Sequence, residues 1–129
     1  MFDRFPCPCC GYLVFRHQPG SHSVCPICRW EDDLGQLRFP NMPGGANTES
    51  LARSQRNFND FGAASKRTWE QSREPNELDD RDPQWRPMDG DRDNPEEPSR
   101  GVDYMDSYPV EDTTVLYYWR DTYWRRYSS

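Results

Sequence analysis

Apolar residues are scarce in this sequence. Hydrophobic types make up 33% of its 129 residues, a low share even with its 8 glycines added, against roughly 45–50% in an ordinary globular domain. No run approaches the ~18 consecutive apolar residues of a membrane span. The opening Met1-Phe2-Asp3-Arg4-Phe5-Pro6-Cys7 contains no apolar stretch of the secretory kind. The expectation is a cytoplasmic protein with reduced thiols. There is a single lysine, Lys66, and the net charge is −6. Affinity for nucleic acid rests on cations placed against phosphates, so that partner is not expected. A chain this polar builds a small core, and small cores need a staple.

Aromatic residues, at 14%, are plentiful. Burial must therefore lean on Trp, Tyr and Phe, which supply large area and a polar tip. Charge is spread unevenly. Residues 1–69 carry a net +2, residues 70–112 a net −10, and residues 113–129 a net +2.

The five cysteines fall at 7, 9, 10, 25 and 28. An odd number suits a disulfide framework poorly. Two pairs have Cys-x-x-Cys spacing: Cys7 with Cys10, and Cys25 with Cys28. Pro8 and Pro26 follow the first cysteine of each pair, and Pro fixes φ there. Gly11 follows the first pair and tolerates the left-handed conformation that closes such a turn. Fourteen residues separate Cys10 from Cys25. Within them Tyr12 to Arg16 reads as a strand, Pro19-Gly20 as the centre of a type II turn, and Ser21 to Val24 as the returning strand. That hairpin would bring the pairs together in a zinc-ribbon or rubredoxin layout. The expected ligands are Cys7, Cys10, Cys25 and Cys28, and the expected ion is one structural Zn²⁺ rather than Fe. Four protein ligands close the site to catalysis.

A thiol redox pair is the competing reading. Such a pair normally opens a helix in a βαβ unit, and no such unit surrounds either motif. Cys9 is surplus and is expected to be a small buried side chain. His17 and His22 flank the turn, away from the ligands.

At these residues the sequence resembles the bacterial cysteine-rich CPCC proteins. The matching words are Cys7-Pro8-Cys9-Cys10-Gly11-Tyr12, Cys25-Pro26-Ile27-Cys28, Trp30-Glu31-Asp32-Asp33, Gly44-Gly45-Ala46-Asn47, and Arg56-Asn57-Phe58 through Phe61-Gly62-Ala63. Asp82 to Pro87 and Tyr117-Tyr118-Trp119 are similar to segments of longer members. The resemblance implies a small cysteine-rich, metal-binding domain and carries no activity with it. Arg29 departs from the pattern, where an apolar or aromatic residue is expected.

Farther along, Asn47 reads as an N-cap for a helix over about 48–61. Leu51, Phe58 and Phe61 lie on one face of it, and Gly62 stands at its C-terminal end. Gly44-Gly45-Ala46-Asn47 lacks the Lys-Ser/Thr of a phosphate loop and reads as a turn. Glu31, Asp32 and Asp33 read as a solvated turn. Six prolines and a net −10 make residues 70–112 an irregular segment, with Trp85 and Met88 as its anchors. In residues 113–129, Val115, Trp119, Tyr123 and Tyr127 recur at helical spacing, while Val115 to Trp119 also suits a buried strand. This tail is read as completing the core rather than as an aromatic binding surface.

The sequence thus specifies a small α+β metal-bound domain. A zinc-ribbon-like hairpin and one amphipathic helix occupy 1–69, an acidic Pro-rich segment follows over 70–112, and an aromatic element packs back over 113–129. The expected function is that of a non-enzymatic structural-zinc protein, a protein-interaction module. A rubredoxin-like or thiol redox role is the alternative, and a nucleic-acid-binding zinc ribbon the third reading.

Overall fold

The computed structural model describes residues 4–125. Regular structure is sparse. Strand β1, Phe5–Pro6, pairs antiparallel with β2, Leu13–Phe15, in the register Phe5 to Phe15 and Pro6 to Leu13, with a bulge between. Helix α1 spans Leu34–Arg38 and helix α2 spans Leu51–Phe61. Three 3₁₀ turns, Lys66–Gln71, Met105–Ser107 and Thr113–Leu116, punctuate the rest.

The hairpin differs from the one the sequence suggests. Leu13–Phe15 pairs with the strand before the first cysteine pair, not with Ser21 to Val24. Gly20 does adopt a positive φ of 102°. The chain that follows it, however, forms a second short ladder, in which Val24 bridges Glu31 across the second pair. Each cysteine pair thus closes its own small hairpin. The reason is local: a tight Cys-x-x-Cys turn already reverses the chain, so its flanks pair with each other before a fourteen-residue loop can.

Helix α2 begins at Leu51, capped by Ser50, whose Oγ accepts the Arg53 N–H at 3.1 Å. Asn47 is engaged elsewhere. Its side-chain amide accepts the Glu31 N–H and donates to the Glu31 carbonyl, both at 2.9 Å. A side chain paired with a backbone sixteen residues away cannot also cap a helix. Gly62 ends α2 with φ 83°, its N–H bonding the Phe58 carbonyl. The inner face of α2 is more polar than the pattern suggests. Leu51, Ser54, Gln55 and Asn57 are buried, whereas Phe58 and Phe61 are half-buried.

Those inner polar groups answer an accounting demand: turn-rich chain leaves backbone groups that need partners. Gln55 Nε2 donates to the Pro8 carbonyl and to the Tyr118 hydroxyl, both at 2.9 Å, and its Oε1 accepts the Met88 N–H at 2.8 Å. One amide therefore joins the first knuckle, the aromatic tail and the acidic segment.

The Glu31–Asp33 triplet is not simply solvated. Asp32 is fully buried and accepts from the Ser21 N–H at 3.2 Å and hydroxyl at 2.7 Å. Burial pushes its carboxyl above the ordinary range even against those donors. Asp33 caps α1 through the Gly35 and Gln36 N–H groups and also takes the Ala46 N–H at 2.8 Å. The glycine loop of residues 44–47 is thereby wrapped onto Asp33 and Gln36, and a Cβ on Gly45 would meet Asp33 Oδ2 at 2.5 Å.

Residues 70–112 run without strands of their own, apart from one bridge between Arg81 and Tyr12. The Leu13 N–H bonds the Asp80 carbonyl and the Asp82 N–H bonds the Gly11 carbonyl, each at 2.8 Å. Trp85 packs on the core and lies over Gly11. Farther along, Glu96 takes two 3.1 Å hydrogen bonds from Arg38, whose guanidinium sits 4.7–5.0 Å from the ring centroids of Phe39, Tyr104, Tyr108 and Trp124.

Leu116, Tyr117, Tyr118 and Trp119 are all buried in the core. Four consecutive buried residues fit neither a helical nor an alternating period, and the segment is a 3₁₀ turn followed by irregular chain. Tyr127, the last member of the proposed stripe, lies outside the described residues.

Candidate metal centre

The two cysteine pairs are built on one plan, eighteen residues apart. In the first, the Cys7 N–H bonds the Tyr12 carbonyl at 2.9 Å and the Gly11 N–H bonds the Cys7 carbonyl at 2.7 Å. In the second, the Cys25 N–H bonds the Trp30 carbonyl at 2.9 Å and the Arg29 N–H bonds the Cys25 carbonyl at 2.9 Å. The residue after each pair is left-handed: Gly11 at φ 82° and Arg29 at φ 70°. Arg29 is thus the counterpart of Gly11. It adopts the left-handed backbone there without glycine's conformational freedom. A non-glycine residue held there stores strain of roughly 1–3 kcal/mol.

The plan brings Cys7, Cys10, Cys25 and Cys28 together. Their Sγ atoms lie within 4.8 Å of one another, and all four residues are 0% exposed. Cys7 Sγ is 3.6 Å from Cys28 Sγ, and Cys10 Sγ is 3.8 Å from Cys25 Sγ. A tetrahedron of sulfurs around an ion at ~2.3 Å has edges of about 3.8 Å. The spacing and chemistry of the donor set therefore fit a thiolate-bound ion. The Cys28 N–H also points to Cys25 Sγ at 3.5 Å.

The buried thiols of the cluster shift in opposite directions. Burial pushes Cys7 and Cys28 well above the usual thiol range, and neighbouring cysteines add to the shift. At Cys25 burial acts in the same upward sense, but hydrogen bonds from Cys10, Cys28 and Cys7 outweigh it and hold the group well below that range. A divalent cation removes the like-charge conflict by neutralising two of four thiolates.

Cys9 is fully buried and is not among the converging sulfurs. Burial raises its thiol as well. Neither histidine joins the cluster. His22 is left-handed, φ 61°, with Nδ1 3.3 Å from Glu31 Oε2 at the surface.

Trp85, singled out in the sequence as an anchor, donates from Nε1 to the Pro8 carbonyl at 3.0 Å inside the first knuckle. Gln55 was not foreseen, and no local pattern marks a buried glutamine on a helix. Arg81 also supports the site: its Nε donates to the Cys10 carbonyl at 2.9 Å while its guanidinium lies against Tyr12 and Trp85.

The fold and site define a small domain, with a two-stranded antiparallel hairpin and few helices, whose four clustered cysteines are placed to bind a metal ion. The model of the cysteine-rich CPCC family matches residues 5–79, more than half of the chain, and the chain belongs to that family. Comparison with curated proteins finds no match. Among the described residues no helix is long and apolar enough to cross a membrane.

Proposed function

We propose that this chain is a non-catalytic module held by one structural Zn²⁺, bound by Cys7, Cys10, Cys25 and Cys28, and that it acts by binding another protein. The observation that carries the first part is the closed donor set: four fully buried cysteines whose sulfurs converge. When bound, the ion supplies cross-linking and neutralisation of thiolate charge. A tetrahedral site filled by four protein ligands keeps no position for water or substrate. Ion binding of this kind is folding energy, of order 10–16 kcal/mol in small zinc peptides, which suits a chain with so little apolar content.

The interaction role is supported by apolar side chains left at the surface. Trp69 is 55% exposed, and Phe58, Trp85 and Met88 line an open groove beside α2. The net charge of −6 favours a basic partner.

Elemental analysis of protein purified without added metal tests the ion, with one Zn and no Fe per chain expected. The interaction is tested by capture of a basic protein from native lysate. Capture should fall in Trp69→Ala while zinc content is unchanged, and no reproducible capture would remove the interaction reading. The paired knuckles, with the Cys28 N–H directed at Cys25 Sγ, also favour a rubredoxin-like electron-transfer centre as the second reading. It requires iron and a red colour on aerobic purification.

A further inference from the structure

Away from the cysteine cluster, a cleft of about 280 Å³ opens between residues 86–95 and the aromatic tail. Its lining gathers Arg86, Arg92 and Arg125 with a single carboxylate, Asp93. This is an unusual concentration of positive charge, because residues 70–112 carry a net −10.

Three observations on these side chains point to an anionic ligand. Asp93 is already committed: it holds Arg86 through two hydrogen bonds of 2.8 and 2.6 Å and also accepts the Asp89 N–H. Arg92 is exposed, feels the Asp93 carboxylate only at longer range, and makes no close ion pair or side-chain hydrogen bond among the described residues. Arg125 is the most telling. Among the described residues its Nε is buried with no hydrogen-bond partner, and its NH1 lies 4.0 Å from Glu96 Oε1. That carboxylate is itself gripped at both oxygens by Arg38. An oxyanion in the cleft would meet the part of the Arg125 side chain that stays accessible, 31% of it.

We propose that this cleft binds a phosphoryl group, with Arg92 and Arg125 as the primary cations and Arg86 as a preorganised wall. Arginine suits the role because its planar fork of donors matches the tetrahedral oxygens of phosphate. The volume suits inorganic phosphate or a small phosphomonoester and is below the ~300–1,000 Å³ of sites for larger ligands. The Tyr123 ring lines the same cleft and would pack beside a short organic substituent. The inference is independent of the proposed metal centre and goes beyond the interaction role.

The test is a thermal-shift titration of the full chain with inorganic phosphate and, separately, with phosphoserine. Sodium chloride holds ionic strength constant, and metal content is measured in the same samples. A saturable rise in Tm is expected. Arg92→Gln and Arg125→Gln should each move its midpoint at least tenfold to higher concentration, whereas Arg100→Gln should not move it. Arg92 is exposed, so Arg92→Gln leaves the fold intact and remains informative even if Arg125→Gln unfolds. A tenfold preference for phosphoserine assigns the site to phosphomonoesters, and equal affinity assigns it to free phosphate. A rise that does not saturate, or an unchanged midpoint in Arg92→Gln, overturns the proposal. Metal content stays constant across these variants, so failure here leaves the zinc reading untouched.

Discussion

The indole of Trp85 occupies the space where a side chain on Gly11 would stand. A Cβ built there would meet three ring atoms of Trp85 at 2.5–2.7 Å, and Gly11 is also left-handed at φ 82°. Two separate reasons therefore demand glycine. Gly11→Ala is expected to destabilise by about 2–4 kcal/mol, combining backbone strain with overpacking. Urea unfolding of the zinc-loaded protein checks this. A loss under 1 kcal/mol would show that the indole moves aside freely.

Arg29 holds the matching position in the second knuckle without glycine's freedom. Arg29→Gly should relieve strain of roughly 1–3 kcal/mol while adding unfolded-chain entropy of roughly 0.5–1 kcal/mol. The expected net is a gain of up to about 2.5 kcal/mol, read as a higher urea midpoint at constant m. A loss would mean that the arginine side chain contributes more than its backbone strain removes.

Asp82 couples the acidic segment to the tail. Burial opposes its charge, but the Gln84 N–H, Trp119 Nε1 and Arg120 donate to it and together hold its carboxyl below the ordinary range. The folded state thus binds the proton more weakly than the unfolded chain. The stabilisation is present above the unfolded carboxylate pKa, near 4, and is lost as pH falls through the lower folded value. Asp82→Asn should cost about 1–3 kcal/mol at pH 7. The difference in Tm between wild type and variant should shrink below about pH 4. A difference that does not change with pH would remove the charge from the account.

Substituting any one of Cys7, Cys10, Cys25 or Cys28 by Ser is expected to abolish stoichiometric zinc and to unfold most of the chain at ambient temperature, given the ~10–16 kcal/mol such sites supply. Cys9→Ser should keep one zinc per chain and lose about 1–2 kcal/mol, as expected for a hydroxyl buried in place of a thiol. Elemental analysis with circular dichroism distinguishes the two cases. Loss of zinc in Cys9→Ser would mean that the ligand set is misassigned.

Cysteine spacing made the cluster legible from the sequence, because a Cys-x-x-Cys turn is a local event that needs no knowledge of distant chain. The end of α2 was legible for the same reason, since Gly62 acts within one turn. What escaped depends on partners far away in sequence. Asn47 is drawn off from capping by Glu31, and Ser21 to Val24 lose their expected partner to the hairpins that each knuckle closes by itself. Helix α1 is only five residues long and contains Gly35, too short for periodicity to register. Asp32 read as solvent-facing because an acidic triplet usually is, and only the position of Ser21 shows otherwise. The Arg38 site draws Glu96, Ser107 and four rings from separate segments, a convergence that no window of sequence contains.

Residues 80–82 lie along the outer edge of the first knuckle, through Leu13 and Gly11. They hold Arg81 against Tyr12 and Trp85. A knuckle emptied of its ion loses the surface on which this acidic stretch leans. Arg81, whose side chain is already exposed, then loses the backbone pairing on either side of it and enters extended chain that a trypsin-like protease can bind. Degradation would thus begin more than fifty residues downstream of the ligands, and the half-life of the protein would track the metal supply of the compartment that holds it.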